Sequence, residues 1–231
     1  MKKNLQKNIF LFKEHIGLFK ASNNYDIYDP KTKEIILHCR EKNLNPVYKI
    51  VRMFLTDFKA MTPFEIDIIG LDGKRIIKVK KGLSLILSKI EVFDENDKLI
   101  GLFKQKLFPI GNNFEMFDEK ENLVSKLKGS IIGWNFKFLK DENTIATVTK
   151  KWSGIGKEMF TSADNYILEI KDTVDKADPL RLLIFAAVIC IDMVLKNKIF
   201  WKPYKKCVLR LSLLSVLESN LHLIVQGSFN L

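Results

Sequence analysis

Leu180-Arg181-Leu182-Leu183-Ile184-Phe185-Ala186-Ala187-Val188-Ile189-Cys190-Ile191-Asp192-Met193-Val194-Leu195 is apolar on every side from Leu182 to Ile191. A helix without a polar stripe belongs inside protein or inside a bilayer. Asp178-Pro179 supplies a start, with an acid at the N-cap and a proline at the first helical position. Length chooses between the two interiors. The run Leu182–Leu195 holds 14 residues and includes Asp192, whereas a bilayer span takes about 20 apolar residues. A carboxylate carried to the bilayer centre costs about 2.5–3.5 kcal/mol. At about 1.5 Å per residue the rod is about 21 Å long, the height of a barrel of tilted strands of about six to eight residues. The stretch 179–196 is therefore expected as a helix that plugs a barrel.

The barrel is written upstream as one hairpin repeated five times. Tyr25-Asp26-Ile27-Tyr28-Asp29-Pro30 turns into Glu34-Ile35-Ile36-Leu37, and Phe64-Glu65-Ile66-Asp67-Ile68 turns through Asp72-Gly73 into Arg75-Ile76-Ile77. Three more follow around Asp94-Glu95-Asn96-Asp97, Asp118-Glu119-Lys120-Glu121-Asn122 and Lys140-Asp141-Glu142-Asn143. Aspartate and asparagine serve such turns because their side chains bond nearby backbone and tolerate left-handed angles. The Asp-Gly pair is the strongest two-residue hairpin signal in the chain. Asp72, Asp94, Asp118 and Asp141 are spaced 22, 24 and 23 residues apart, and Asp29 stands 43 before Asp72. The inserted segment Asn45–Phe58 carries Val47, Ile50, Val51, Phe54, Leu55 and Phe58 at helical spacing, which predicts a short amphipathic helix packed on the sheet. Five hairpins in series make a meander of about ten strands, and closure into a barrel removes its edges. A four-stranded propeller blade needs roughly 40 residues, so this repeat is too short for one.

Composition bounds the function. The chain has 231 residues, 47% apolar content and a net charge of +11, which is globular and biased toward anionic partners. Cys39, Cys190 and Cys207 have no metal-binding spacing, which argues against a disulfide scaffold or zinc site and for a reducing compartment. The cluster Ile9-Phe10-Leu11-Phe12 is too short for a secretory signal core. Cytoplasmic protein, peripheral at the inner face of a membrane, is the expectation. Catalysis has little behind it. Ser153-Gly154-Ile155-Gly156 lacks the strand-to-helix context of a phosphate loop, and His15, His38 and His222 are scattered.

The densest basic stretch is Lys74-Arg75-Ile76-Ile77-Lys78-Val79-Lys80-Lys81. On a strand Lys74, Ile76, Lys78 and Lys80 share one face, and Arg75, Ile77, Val79 and Lys81 the other. Such a run is either a solvated outer face or a surface for anionic lipid. Near the C-terminus Lys202, Lys205 and Lys206 precede Cys207-Val208-Leu209-Arg210-Leu211, again suited to an anionic membrane surface. A segment docked on the barrel, or an extension without a role, fits that tail as well. No recognition helix or RNP-like aromatic pair supports nucleic-acid binding.

Phe160-Thr161-Ser162-Ala163-Asp164-Asn165-Tyr166-Ile167-Leu168-Glu169-Ile170, an acidic connection, and the apolar helix ending Cys190-Ile191-Asp192-Met193 together resemble the C-terminal half of the phospholipid scramblase family. Tyr25-Asp26-Ile27-Tyr28-Asp29 and Lys98-Leu99-Ile100-Gly101 resemble its upstream hairpins. The likeness covers about Asn8 to Lys198 and is greatest to the compact bacterial members. It implies one domain over 8–198, flanked by a basic lead at 1–7 and an apolar extension at 199–231. It implies a mainly β, tubby-like fold, a closed antiparallel barrel of about twelve strands around one buried helix, with one short peripheral helix. The activity implied is calcium-stimulated movement of phospholipid between leaflets, or recognition of anionic headgroups.

The family's calcium segment falls on Ser162–Lys176, where Asp164, Asn165, Asp172 and Asp175 stand at the ligand positions. Calcium takes six to eight oxygens, which this set would begin to supply. Ser162 replaces a further acid, and Leu168-Glu169-Ile170-Lys171 replaces a proline-rich stretch. The plain alternative is a strand followed by a polar connection whose acids cap the helix. Three functions compete: lipid handling at an anionic membrane surface, a soluble interaction module on the same fold, and, last, nucleic-acid binding.

Overall fold

The computed structural model describes residues 3–15, 22–42, 44–54, 61–84, 87–106, 114–130, 134–150 and 165–195. All lie in the first of two compact units, Met1–Ile199; the second is Phe200–Leu231. The strands are β1 (Ile9–Glu14), β2 (Tyr25–Tyr28), β3 (Ile35–Glu41), β4 (Phe64–Gly70), β5 (Arg75–Lys81), β6 (Lys89–Phe93), β7 (Leu99–Gln105), β8 (Phe114–Asp118), β9 (Leu123–Ser130), β10 (Asn135–Lys140), β11 (Asn143–Thr149) and β12 (Asn165–Ile170). Helix α1 (Pro46–Phe54) lies between β3 and β4, and α2 (Leu180–Cys190) follows β12. The twelve strands form a closed antiparallel barrel in chain order, sealed by β1 against β12, where Ile9 faces Glu169 and Lys13 faces Asn165.

Strand order in sequence makes the connections alternate between two ends. The five hairpin turns share one end with the 171–179 connection. The long connections, α1 among them, share the other. The hairpins repeat one local design. Asp29, Asp94 and Asp118 each receive a backbone N–H two residues on, at 2.7, 2.8 and 2.9 Å. A residue with positive φ then closes the turn, as at Lys33, Asp97 and Glu121. The β4–β5 hairpin differs from the expected two-residue turn. Gly70 stands where Asp94 and Asp118 stand in the later hairpins, and Gly73 (φ 75°) takes the left-handed position. Only the Asp141-Glu142 turn places both central residues at positive φ. Each of the five pairs shifts register beside its turn.

Alternation then fills the barrel. Phe10, Phe12, Ile27, Ile66, Val79, Val92, Phe103, Met116, Phe138 and Leu168 point inward and are buried. Twelve strands enclose more space than their own side chains fill, and α2 fills the remainder. All of α2 but Leu182 is buried. Phe185 meets Phe10 edge-on at 4.4 Å and Phe12 at 5.7 Å. Asp178 Oδ1 accepts the Leu180 N–H at 2.8 Å, the capping role read from the sequence. Beyond Cys190 the helix widens into a π turn, Ile191–Leu195.

Within the basic lead at 1–7, Lys3–Gln6 form a 3-10 turn with Leu5 in the core. One expectation changes. Helix α1 does not pack by its apolar face. Its buried side chain is Arg52, while Ile50 and Phe54 are exposed. A buried ion pair decides the orientation: Arg52 meets Glu41 at 2.7 Å with both side chains fully buried. Arg52 also donates to Thr62 Oγ1 and the Pro63 carbonyl, at 2.8 and 2.6 Å. A buried guanidinium holds its place only while these oxygens surround it.

Candidate functional site

The helix inside the barrel is held by one polar clasp at each end. At the end of the long connections, Asp192 accepts hydrogen bonds from the Tyr25 and Tyr166 hydroxyls, one on each carboxylate oxygen. Tyr25 opens β2 and Tyr166 lies at the start of β12, so the clasp joins α2 to strands on both sides of β1. Burial, with the Asp192 carboxylate beside it, pushes the Tyr25 phenol well above its ordinary range. Trp134 stacks on Tyr166 at 4.8 Å, and Lys150 Nζ lies 4.2 Å from the centre of the Trp134 ring. At the turn end Arg181 is fully buried and donates to the carbonyls of Lys7 (2.5 Å), Leu5 (3.2 Å) and Val174 (3.4 Å). A cation in the first turn of a helix opposes the helix dipole. Burial lowers the affinity of Arg181 for its proton, and Asp172, Asp175 and Asp178 act against that shift.

The acids expected as calcium ligands serve this end in other ways. Asp172 accepts from the Asn8 side chain at 2.5 Å and lies 3.6 Å from Lys176 Nζ. Asp175 accepts the Ala177 N–H at 2.7 Å. Asn165 opens β12 at the opposite end of the barrel, about 16 Å of extended strand away. One calcium ion, with oxygens at about 2.3–2.6 Å, does not reach both groups, so the three described members do not form one ligand set. Asp164 lies outside the described residues. Among the described residues no three His, Cys, Asp or Glu side chains gather at metal-binding spacing.

The basic strand β5 divides. Lys81 is buried, and its ammonium donates to the Met61, Thr62 and Gly82 carbonyls at 3.1–3.3 Å. Arg75 and Lys78 both pair with Asp97 in the next hairpin. Lys74 and Lys80 remain exposed. Lys202, Lys205 and Lys206 lie outside the described residues, as does 153–156.

One constellation was not legible in the sequence. His15 Nε2 and His38 Nδ1 lie 2.6 and 2.7 Å from the two oxygens of Asp26, and Arg40 Nη2 lies 2.6 Å from the second oxygen. Register brings them together, since Asp26 faces His38 across β2–β3. Burial raises the Asp26 pKa, but the bonds from His38, Arg40 and His15 outweigh it and hold it down to about 2.

A barrel of twelve strands in chain order, closed by β1–β12 and filled by a helix from the C-terminal side, is the architecture the resemblance implied. The Scramblase family profile matches residues 9–197. The chain belongs to the scramblase family. None of the curated proteins compared matches it. Among solved structures, the X-ray structure of a protein from Arabidopsis thaliana is similar at 11% identity, covering 79% of this chain and 92% of that one, with a TM-score of 0.46. In this member of the family no helix among the described residues is long and apolar enough to cross a membrane.

Proposed function

We propose that this scramblase-family protein binds anionic phospholipid at a membrane surface without carrying its apolar helix into the bilayer, as a peripheral lipid-handling protein rather than an enzyme. The observation that carries the reading is the position of α2. The most apolar helix of the described chain is enclosed by its own strands, so contact with lipid falls to the outer surface. A net charge of +11 gives that surface a preference for anionic headgroups. Each lysine near such a surface contributes about 1 kcal/mol, and salt screens it.

Vesicle flotation tests the reading. The protein is expected to float with phosphatidylglycerol–phosphatidylcholine vesicles at low salt and to be released at about 0.5 M salt, where the Debye length falls below about 5 Å. Pure phosphatidylcholine vesicles are expected to carry much less. Failure to float with either vesicle at low salt would overturn the proposal.

A further inference from the structure

We infer that the solvent side of α1, with the start and end of the β5–β6 connection, is the edge of the protein that enters an anionic bilayer. The inference rests on the membrane-surface reading above and says which part of the molecule makes the contact.

Helical geometry supports it first. Successive residues of α1 turn by about 100°, so the direction opposite Arg52 lies between Ile50 and Phe54. Fixing Arg52 inward against Glu41, Thr62 and Pro63 therefore drives Ile50 and Phe54 outward. They are 59% and 72% exposed. Val47 and Val51 flank them, half-buried. Asn45 caps the helix through the Val47 N–H at 2.9 Å, and Pro46 occupies its first position, so the helix is locally set before any packing. A surface helix ordinarily turns its apolar stripe to the core; this one turns it to solvent.

The neighbouring connection adds to the same edge. Leu83 and Leu87 are 50% and 40% exposed. The Ser84 N–H bonds to the Met61 carbonyl at 3.1 Å, which ties this connection to the chain that follows α1. Four of the six large apolar side chains exposed among the described residues thus stand at one end of the barrel. The other two, Leu71 and Leu123, stand at the turn end.

Charge selects the occupant. Lys49 and Lys80 border the apolar strip and are exposed; Lys80 stands between Glu65 and Glu91 across the neighbouring strands, whereas Lys49 projects from the helix. The turn end instead intersperses its exposed lysines, Lys31, Lys33, Lys74, Lys98 and Lys120, with exposed acids, Glu34, Asp72, Glu95, Asp97, Glu119 and Glu121. An exposed apolar strip bordered by lysine fits the boundary between anionic headgroups and acyl chains, where an interfacial helix lies with its apolar side down. The partner is an anionic phospholipid bilayer, entered shallowly by Ile50, Phe54, Leu83 and Leu87.

The test compares two double substitutions that add the same charge to opposite ends. I50E/F54E is expected to weaken partition onto phosphatidylglycerol–phosphatidylcholine vesicles by about tenfold or more, and L71E/L123E by less than about twofold. All four side chains are exposed, and unchanged thermal midpoints would confirm intact folding. Independently of those variants, F54W is expected to show more quenching by lipids brominated on the acyl chain than the unsubstituted protein does, and L123W no more than it. Unchanged partition by folded I50E/F54E, or no added quenching at position 54 while the protein is bound, would overturn this inference and leave the membrane-surface reading standing. Should the unsubstituted protein fail to bind any vesicle, both fall together. If the strip instead served a protein partner, I50E/F54E would bind vesicles as well as the unsubstituted chain, which is the overturning result.

Discussion

Tyr25, Tyr166 and Asp192 let a charged group live inside an apolar cylinder, because each carboxylate oxygen receives a phenol. Removing one donor leaves a buried charge under-solvated, and such a loss costs about 1.5–3 kcal/mol. Tyr25→Phe is thus expected to lower the urea-unfolding free energy by about that amount with little change in slope. A loss below about 0.5 kcal/mol would show that the clasp does not hold the helix. Asp26 makes a separate prediction in pH. Its folded pKa of about 2 lies below that of the unfolded chain, so its stabilising share is fully present above the ordinary aspartate range and is lost as pH falls toward 2. The thermal midpoint of Asp26→Asn should sit below that of the unsubstituted protein at pH 6, and the gap should close between about pH 4 and pH 2. A gap that stays constant over that range would remove Asp26 from the account.

At the scale of elements, the hairpins were legible because their turns carry their own chemistry: around Asp29, Asp72, Asp94 and Asp118 an acid bonds the backbone ahead and a residue at positive φ follows, and at Asp141-Glu142 both turn residues take positive φ. The β4–β5 turn was misread in detail because Asp72-Gly73 carries the same local signal in a three-residue loop, and only the register shows that Gly70 holds the leading position. Helix α1 was legible as a helix and misread in orientation. Its periodicity marks an apolar face but not what that face meets, and the Arg52–Glu41 pair that turns it over joins residues from different elements. The packing of α2 against β7 is testable at Gly101. A Cβ there would stand 2.4 Å from the Phe117 carbonyl oxygen and 2.9 Å from the Leu183 side chain. Gly101→Ala is expected to destabilise by about 1–3 kcal/mol in urea titration, the cost of overpacking a filled core. A neutral result would mean that the helix does not press on this strand.

For the whole molecule, the filled interior bears on transport. A headgroup moving between leaflets crosses about 30 Å of hydrocarbon and needs a polar path, whereas the barrel is closed and lined by apolar side chains around α2. The purified protein is expected to bind anionic vesicles without speeding dithionite quenching of fluorescent lipid in the inner leaflet, with or without calcium. Acceleration by the monomer would require a path this closed form does not offer, and acceleration with calcium alone would favour the metal assignment at Asp164 and Asp172.

The sequence by itself determined the five hairpins, the apolar helix and its start, and through them a closed barrel around a plug. These are written in signals that act over a few residues: alternation, turn chemistry, a cap and a run of apolar side chains. Only the tertiary structure decided which charges are buried and against what. Arg181 on the carbonyls of Leu5 and Lys7, Asp192 between two tyrosines, Arg52 beneath α1, and the two histidines on Asp26 all join residues far apart in sequence or set by register. Burial makes such charges intolerable without partners, and which partner arrives depends on how the strands align, a relation that no single stretch of the chain contains.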